Sequence, residues 1–145
     1  MIGLDIARQL VEAARARAIA EGLEMSFAVV DAGGHPILME RMDGARILGG
    51  HTVINKAMTA VYSRRATHLT VERSKIHPEV YMTLAAATEP KMVLSMGGYP
   101  LFANGMMVGG FGTSGGTGEQ DMMASQAAIE RWAELGGDAD HPTYH

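Results

Sequence analysis

The stretch YPLFANGMMVGGFGTSGGTGEQD, Tyr99–Asp121, decides the fold. Asn104-Gly105 sits between two apolar runs, Tyr99–Ala103 and Met106–Thr113. The pair fits a type I′ turn, whose two central residues both need positive φ. The two runs are therefore expected to be antiparallel strands of one hairpin. The glycines that follow contain G-x-G-x-x-G (Gly110, Gly112, Gly115) and G-x-S-x-G (Gly112, Ser114, Gly116).

Neither pattern fits its surroundings. A dinucleotide fold needs a second strand after the helix and an acid about 20 residues on. Here the chain runs only about ten residues beyond that helix. Glu119 and Asp121 would also set negative charge where a phosphate should bind. A nucleophile elbow needs an acid and then a histidine downstream on a parallel sheet. After Ser114 the late candidates are Asp138, Asp140, His141 and His145, in a segment expected to be a flexible tail. What remains is a glycine turn that permits close backbone approach and delivers Glu119, Gln120 and Asp121 to a helix N-terminus.

Working outward, DIARQLVEAARARAIAE (5–21) has helical apolar spacing, with Asp5 as a cap and Gly22 as a stop. Met25–Val30 and Pro36–Met42 flank the turn Asp31–Gly34 and predict a hairpin. Residues 48–66 predict a second helix, Thr67–His77 an irregular polar link, and Pro78–Ala87 a helix opened by proline. Met92–Met96 reads as a further strand and 119–135 as the last helix. The order α-β-β-α-α-β-β-β-α predicts an α+β domain over 1–137, a five-stranded antiparallel sheet flanked by helices, followed by the tail 138–145.

Composition narrows the function. The 145 residues contain no cysteine, which excludes disulfides, thiolate metal sites and cysteine nucleophiles. A formal charge of −4 with scattered basic residues argues against nucleic acid as a partner. No apolar run of about 18 residues predicts a membrane span. The N-terminus lacks a basic, then apolar, leader, so a cytoplasmic location is expected.

Five segments together resemble one family. VVDAGG (Val29–Gly34), RMDGA (Arg41–Ala45), KAMTA (Lys56–Ala60), GGYP (Gly97–Pro100) and SGGTGEQD (Ser114–Asp121) follow the order of the GlcG/HbpS-like proteins over nearly the whole chain. That family includes extracellular haem-binding sensor partners and the C-terminal domain of some cobalamin adenosyltransferases. The resemblance implies a profilin- or PAS-like fold and homo-oligomers, from dimers to octamers. It also implies haem binding in some members, and in others a place in operons that degrade small hydroxy acids or diols. It suggests a pocket drawing on Arg41, Lys56, Thr59, Ser114, Gly115, Gly116 and Gln120. Gly49-Gly-His51 departs from the family pattern, which usually has a small polar residue there. His51 shares a helix face with Asn55 and Thr59.

Three functional readings follow. In the first the chain binds haem, with His51 as axial ligand (failing that His68 or His77) and Arg41, Lys56, Arg64 or Arg65 facing the propionates. In the second it is a cofactor-free isomerase, hydratase or lyase for a small organic acid or carbonyl compound. There Arg41 or Lys56 anchors a carboxylate, while His51 with Asp43, Glu119 or Asp121 moves a proton. A binding-only role as chaperone or sensor partner is the third.

Overall fold

The computed structural model describes residues 1–145. Strand β1 (Ser26–Asp31) lies inside the sheet and is buried on both faces, which is why SFAVV reads as a continuous rather than alternating run. Its neighbours are β2 (Pro36–Arg41) and β4 (Met106–Ser114), with β3 (Gly98–Ala103) beyond β4. The order is β2-β1-β4-β3, antiparallel throughout. Asn104 (φ 51°) and Gly105 (φ 74°) both take the left-handed conformation that the β3–β4 turn demands. At the other hairpin, Asp31 Oδ1 accepts from the backbone N–H groups of Gly33 and His35, each at 2.9 Å, and these bonds lower its pKa.

Helices cover both faces. Helices α1 (Leu4–Ala20) and α5 (Gly118–Glu134) pack on one, closing a core that includes Leu10, Phe27, Val29, Leu101, Phe111 and Trp132. Helix α2 (Ile47–Ser63) lies on the other, where Val53, Ala57 and Val61 meet Ala28 and Val30. The α2 contact is close because β4 offers only hydrogens there. A Cβ on Gly110 would stand 2.7 Å from the Ala57 carbonyl oxygen, and one on Gly112 2.9 Å from the Ala57 nitrogen. Helix α5 begins with a capping box: Thr117 Oγ1 accepts from the Gln120 N–H, and the Thr117 N–H donates to Gln120 Oε1.

Three expectations change. The sheet has four strands, not five. Met92–Met96 forms no strand because its backbone is bonded to α2 side chains instead: the Val93 N–H donates to Thr59 Oγ1, and Asn55 Nδ2 donates to the Lys91 carbonyl nearby. The link 67–77 is mostly helical, α3 (Thr67–Ile76), followed by α4 (Pro78–Ala87). Its inward positions are polar, Thr67 and Thr70, so apolar periodicity does not announce it. Segment 138–145 is packed rather than loose. The Asp138 N–H donates to the Phe102 carbonyl, the Ala66 N–H donates to that of Thr143, and Tyr144 is buried. Trp132 Nε1 also donates to the Phe102 carbonyl, at 2.8 Å.

Candidate functional site

The row Arg41–Ser26–Ser114 crosses β2, β1 and β4, so these three side chains leave the same face of the sheet. Above them sits the first turn of α2. Gly49 and Gly50 let it descend: a Cβ on Gly49 would lie 3.2 Å from Ser114 Cβ, and one on Gly50 3.2 Å from Arg41 Cδ. Arg46 caps this helix without a side-chain bond, and no acid stands in the first turn. The positive end of the helix dipole is therefore uncompensated.

Between β2 and this turn opens a cleft of about 290 Å³, lined by Met39, Arg41, Ile47, Gly50 and His51. His51 and Arg41 are exposed. Neither forms an ion pair with a carboxylate. The hydroxyls of Ser26 and Ser114, buried near the first turn, have no hydrogen-bond partner. A buried polar group without a partner is costly and marks a place where a water or a ligand atom completes the structure.

The other expected site residues go elsewhere. Lys56, five residues after His51, points into the sheet. Its Nζ donates to Asp121 Oδ2 at 2.9 Å and to the Thr113 carbonyl at 2.8 Å, and Lys56 and Asp121 are only 2% and 4% exposed. Asp121 Oδ1 also accepts from the Gly116 N–H. Burial lowers the pKa of Lys56 and raises that of Asp121, each opposed by the partner's charge. This pair bolts α2 to the start of α5. Thr59 is buried and bonded to Asn55 and Val93. Gly115 takes φ +127° against the backbone of Glu24 and Met25, Gln120 serves the capping box, and Glu119 is exposed outside the His51 cleft. Asp43 opens into a separate hollow with Arg15, Glu24, Glu40 and Arg41. Only Arg41 connects the two.

The remaining histidines differ in kind. His68 is half-buried against Tyr99 (ring centroids 5.9 Å apart), its Nδ1 enclosed without a partner, and burial lowers its pKa. His77 is exposed and precedes α4. Sequence reasoning missed Met39, Ile47 and Ser26. Only the β1–β2 register reveals Ser26, by placing it opposite Arg41.

The molecule is an α+β domain in which helices cover both faces of an antiparallel sheet and the His51 cleft opens between β2 and α2. The chain belongs to the HbpS-like family, described as haem-degrading protein HbpS-like, which it matches over residues 2–130. It is 34% identical to a 15.0 kDa protein of the dhaT–dhaS intergenic region of Citrobacter freundii, over 92% of this chain and 94% of that one. It is 36% identical to the corrinoid adenosyltransferase PduO of Salmonella typhimurium, over 83% of this chain but only 36% of that protein. Among solved structures, Klebsiella pneumoniae ORFY superposes with a TM-score of 0.85 at 30% identity, covering 91% of this chain and 90% of that one. A PduOC:heme complex superposes at 0.81 with 32% identity, covering 95% and 94%.

Proposed function

We propose that this chain binds haem at the cleft between β2 and α2. The carrying observation is that an exposed imidazole and a guanidinium free of any carboxylate share one opening with the apolar side chains of Met39 and Ile47. Haem asks for those three things: a ligand atom for iron, apolar surface for the macrocycle and a cation for a propionate. His51 would hold the iron, Arg41 a propionate, and Met39 and Ile47 the ring. Bound haem would supply an iron centre for binding or activating small molecules. The PduOC:heme complex supports the reading through the likeness of its fold.

The test is a haem titration followed in the Soret band. Saturable binding of about one haem per chain is expected, lost in His51→Ala and kept in His68→Ala and His77→Ala. Loss in His68→Ala or His77→Ala instead would move the ligand. Absence of saturable binding in the parent protein would end the proposal.

A second copy is proposed to cover helix α4. Helix α4, PEVYMTLAAA, has no buried residue, and Val80, Met82 and Leu84 are 48%, 69% and 42% exposed. So apolar a helix left bare is an association surface. Met82→Glu is expected to weaken self-association at least tenfold, roughly 1.4 kcal/mol, in light scattering across a dilution series. A parent protein that is monomeric at all concentrations would overturn this.

A further inference from the structure

At the far end of α2 the chain gathers cations that no acid neutralises. Arg64 closes the helix at φ 55°, in the left-handed region. Glycine is the usual residue there, and this chain uses glycine at six other positive-φ positions. Asn104 is the one other exception, and asparagine tolerates the conformation. Arginine is not the residue this backbone favours, and its side chain lines a cleft.

Arg64, Arg65 and Arg73 line one cleft of about 670 Å³. None of the three forms an ion pair. Glu72, the acid in the same cleft, is engaged by Lys75 at 2.8 Å. In a chain of formal charge −4, three unpaired guanidinium groups in one concavity form a local positive field against the overall balance.

The opposite wall is built, not incidental. It is the C-terminal segment, held at Ala66 by the Thr143 carbonyl and at Asn104 and Gly105 by the Asp138 carboxylate. His141 stacks on Phe102 with ring centroids 3.7 Å apart and planes 3° from parallel. Its Nδ1 lies 2.8 Å from Thr143 Oγ1 and 3.3 Å from the Thr143 nitrogen, which ties the ring to the end of the segment.

We propose that this cleft is a second binding site, for a small multiply charged oxyanion: a phosphate ester, a pyrophosphate or a dicarboxylate. Planar guanidinium forks match such groups two bonds at a time. The site is separate from the His51 cleft. The twelve residues 52–63 of α2 divide His51 from Arg64, about 20 Å at the helical rise.

The experiment is calorimetric titration of the full chain at low ionic strength with pyrophosphate and, separately, malonate. Saturable binding of at least one probe is expected. Arg65→Gln and Arg73→Gln should each weaken it about tenfold or more, as for loss of a charge-assisted hydrogen bond. Arg8→Gln, on α1 and paired with Asp5, should leave it unchanged. Pyrophosphate binding alone would identify a phosphate ligand, and binding of both probes an oxyanion site that carboxylates also satisfy. Failure of both probes to saturate, or equal weakening by all three variants, would overturn the proposal. Arg73 is exposed, so its variant reports even where half-buried Arg65 proves necessary for folding.

Discussion

Replacing Lys56 by methionine should cost about 3–5 kcal/mol of folding stability, the usual penalty for orphaning one member of a buried ion pair. Asp121 would then be left 4% exposed beside an apolar side chain. It must either stay charged inside or take up a proton. Protonating a carboxyl of ordinary pKa 3.8 at neutral pH costs about 1.36 kcal/mol per unit, close to 4 kcal/mol in all. Both routes give the same magnitude. Urea denaturation checks it: the midpoint should fall with the slope unchanged. The double variant Lys56→Met/Asp121→Leu should recover much of the loss, because a buried pair adds little over apolar packing. Recovery should stop short by about 1 kcal/mol for each of two abandoned backbone partners, the Thr113 carbonyl and the Gly116 N–H. A single variant costing under about 1 kcal/mol would contradict the bolt described above.

Gly112→Val should leave no folded protein, with a cost above about 4–5 kcal/mol. The new Cβ would lie 2.9 Å from the Ala57 nitrogen and 3.1 Å from the Val53 carbonyl oxygen. These are backbone atoms of a helix, so they yield only if α2 rises as a unit from Ala28 and Val30. Gly112→Ala should cost about 1–3 kcal/mol, the range for overpacking. Gly3→Ala, whose Cβ meets nothing within 4 Å, is the control and should be near neutral. Soluble expression and thermal melting read all three. A well-folded Gly112→Val would show that α2 is not seated on β4.

Both variants probe contacts between residues far apart in the chain, which a sequence discloses least. Asn104-Gly105 announced its hairpin because the turn's geometry is local, and Pro78 announced α4 for the same reason. Met92–Met96 looked like a strand because its apolar residues are right for one. What decides its conformation is where Thr59 and Asn55, more than thirty residues earlier, make their bonds. Helix α3 stayed hidden because threonines fill its inward positions.

The site shows the same division. His51 and Arg41 are assigned to one pocket from the sequence, and both line the cleft between β2 and α2. Lys56 was grouped with them as a ligand residue, yet it stands in the stripe with Val53 and Ala60, three residues before it and four after it on the helix. That position predicts an inward side chain. The glycine loop that first suggested a nucleotide or a nucleophile serves mainly as joinery. Gly97 has room for no Cβ beside Asp121, and Gly116 donates to the same carboxylate. A motif can therefore be specific to a family and still record how a fold is fastened rather than what it binds.

The chain contains one tryptophan, and that indole is hydrogen-bonded to the Phe102 carbonyl while the C-terminal segment closes over it. Phe102 in turn carries the His141 ring on the wall of the arginine cleft. Trp132 is thus an intrinsic optical gauge on the docked segment that forms the cleft's wall. Undocking of the last residues would admit water to the indole and redden its emission, with no dye or label attached.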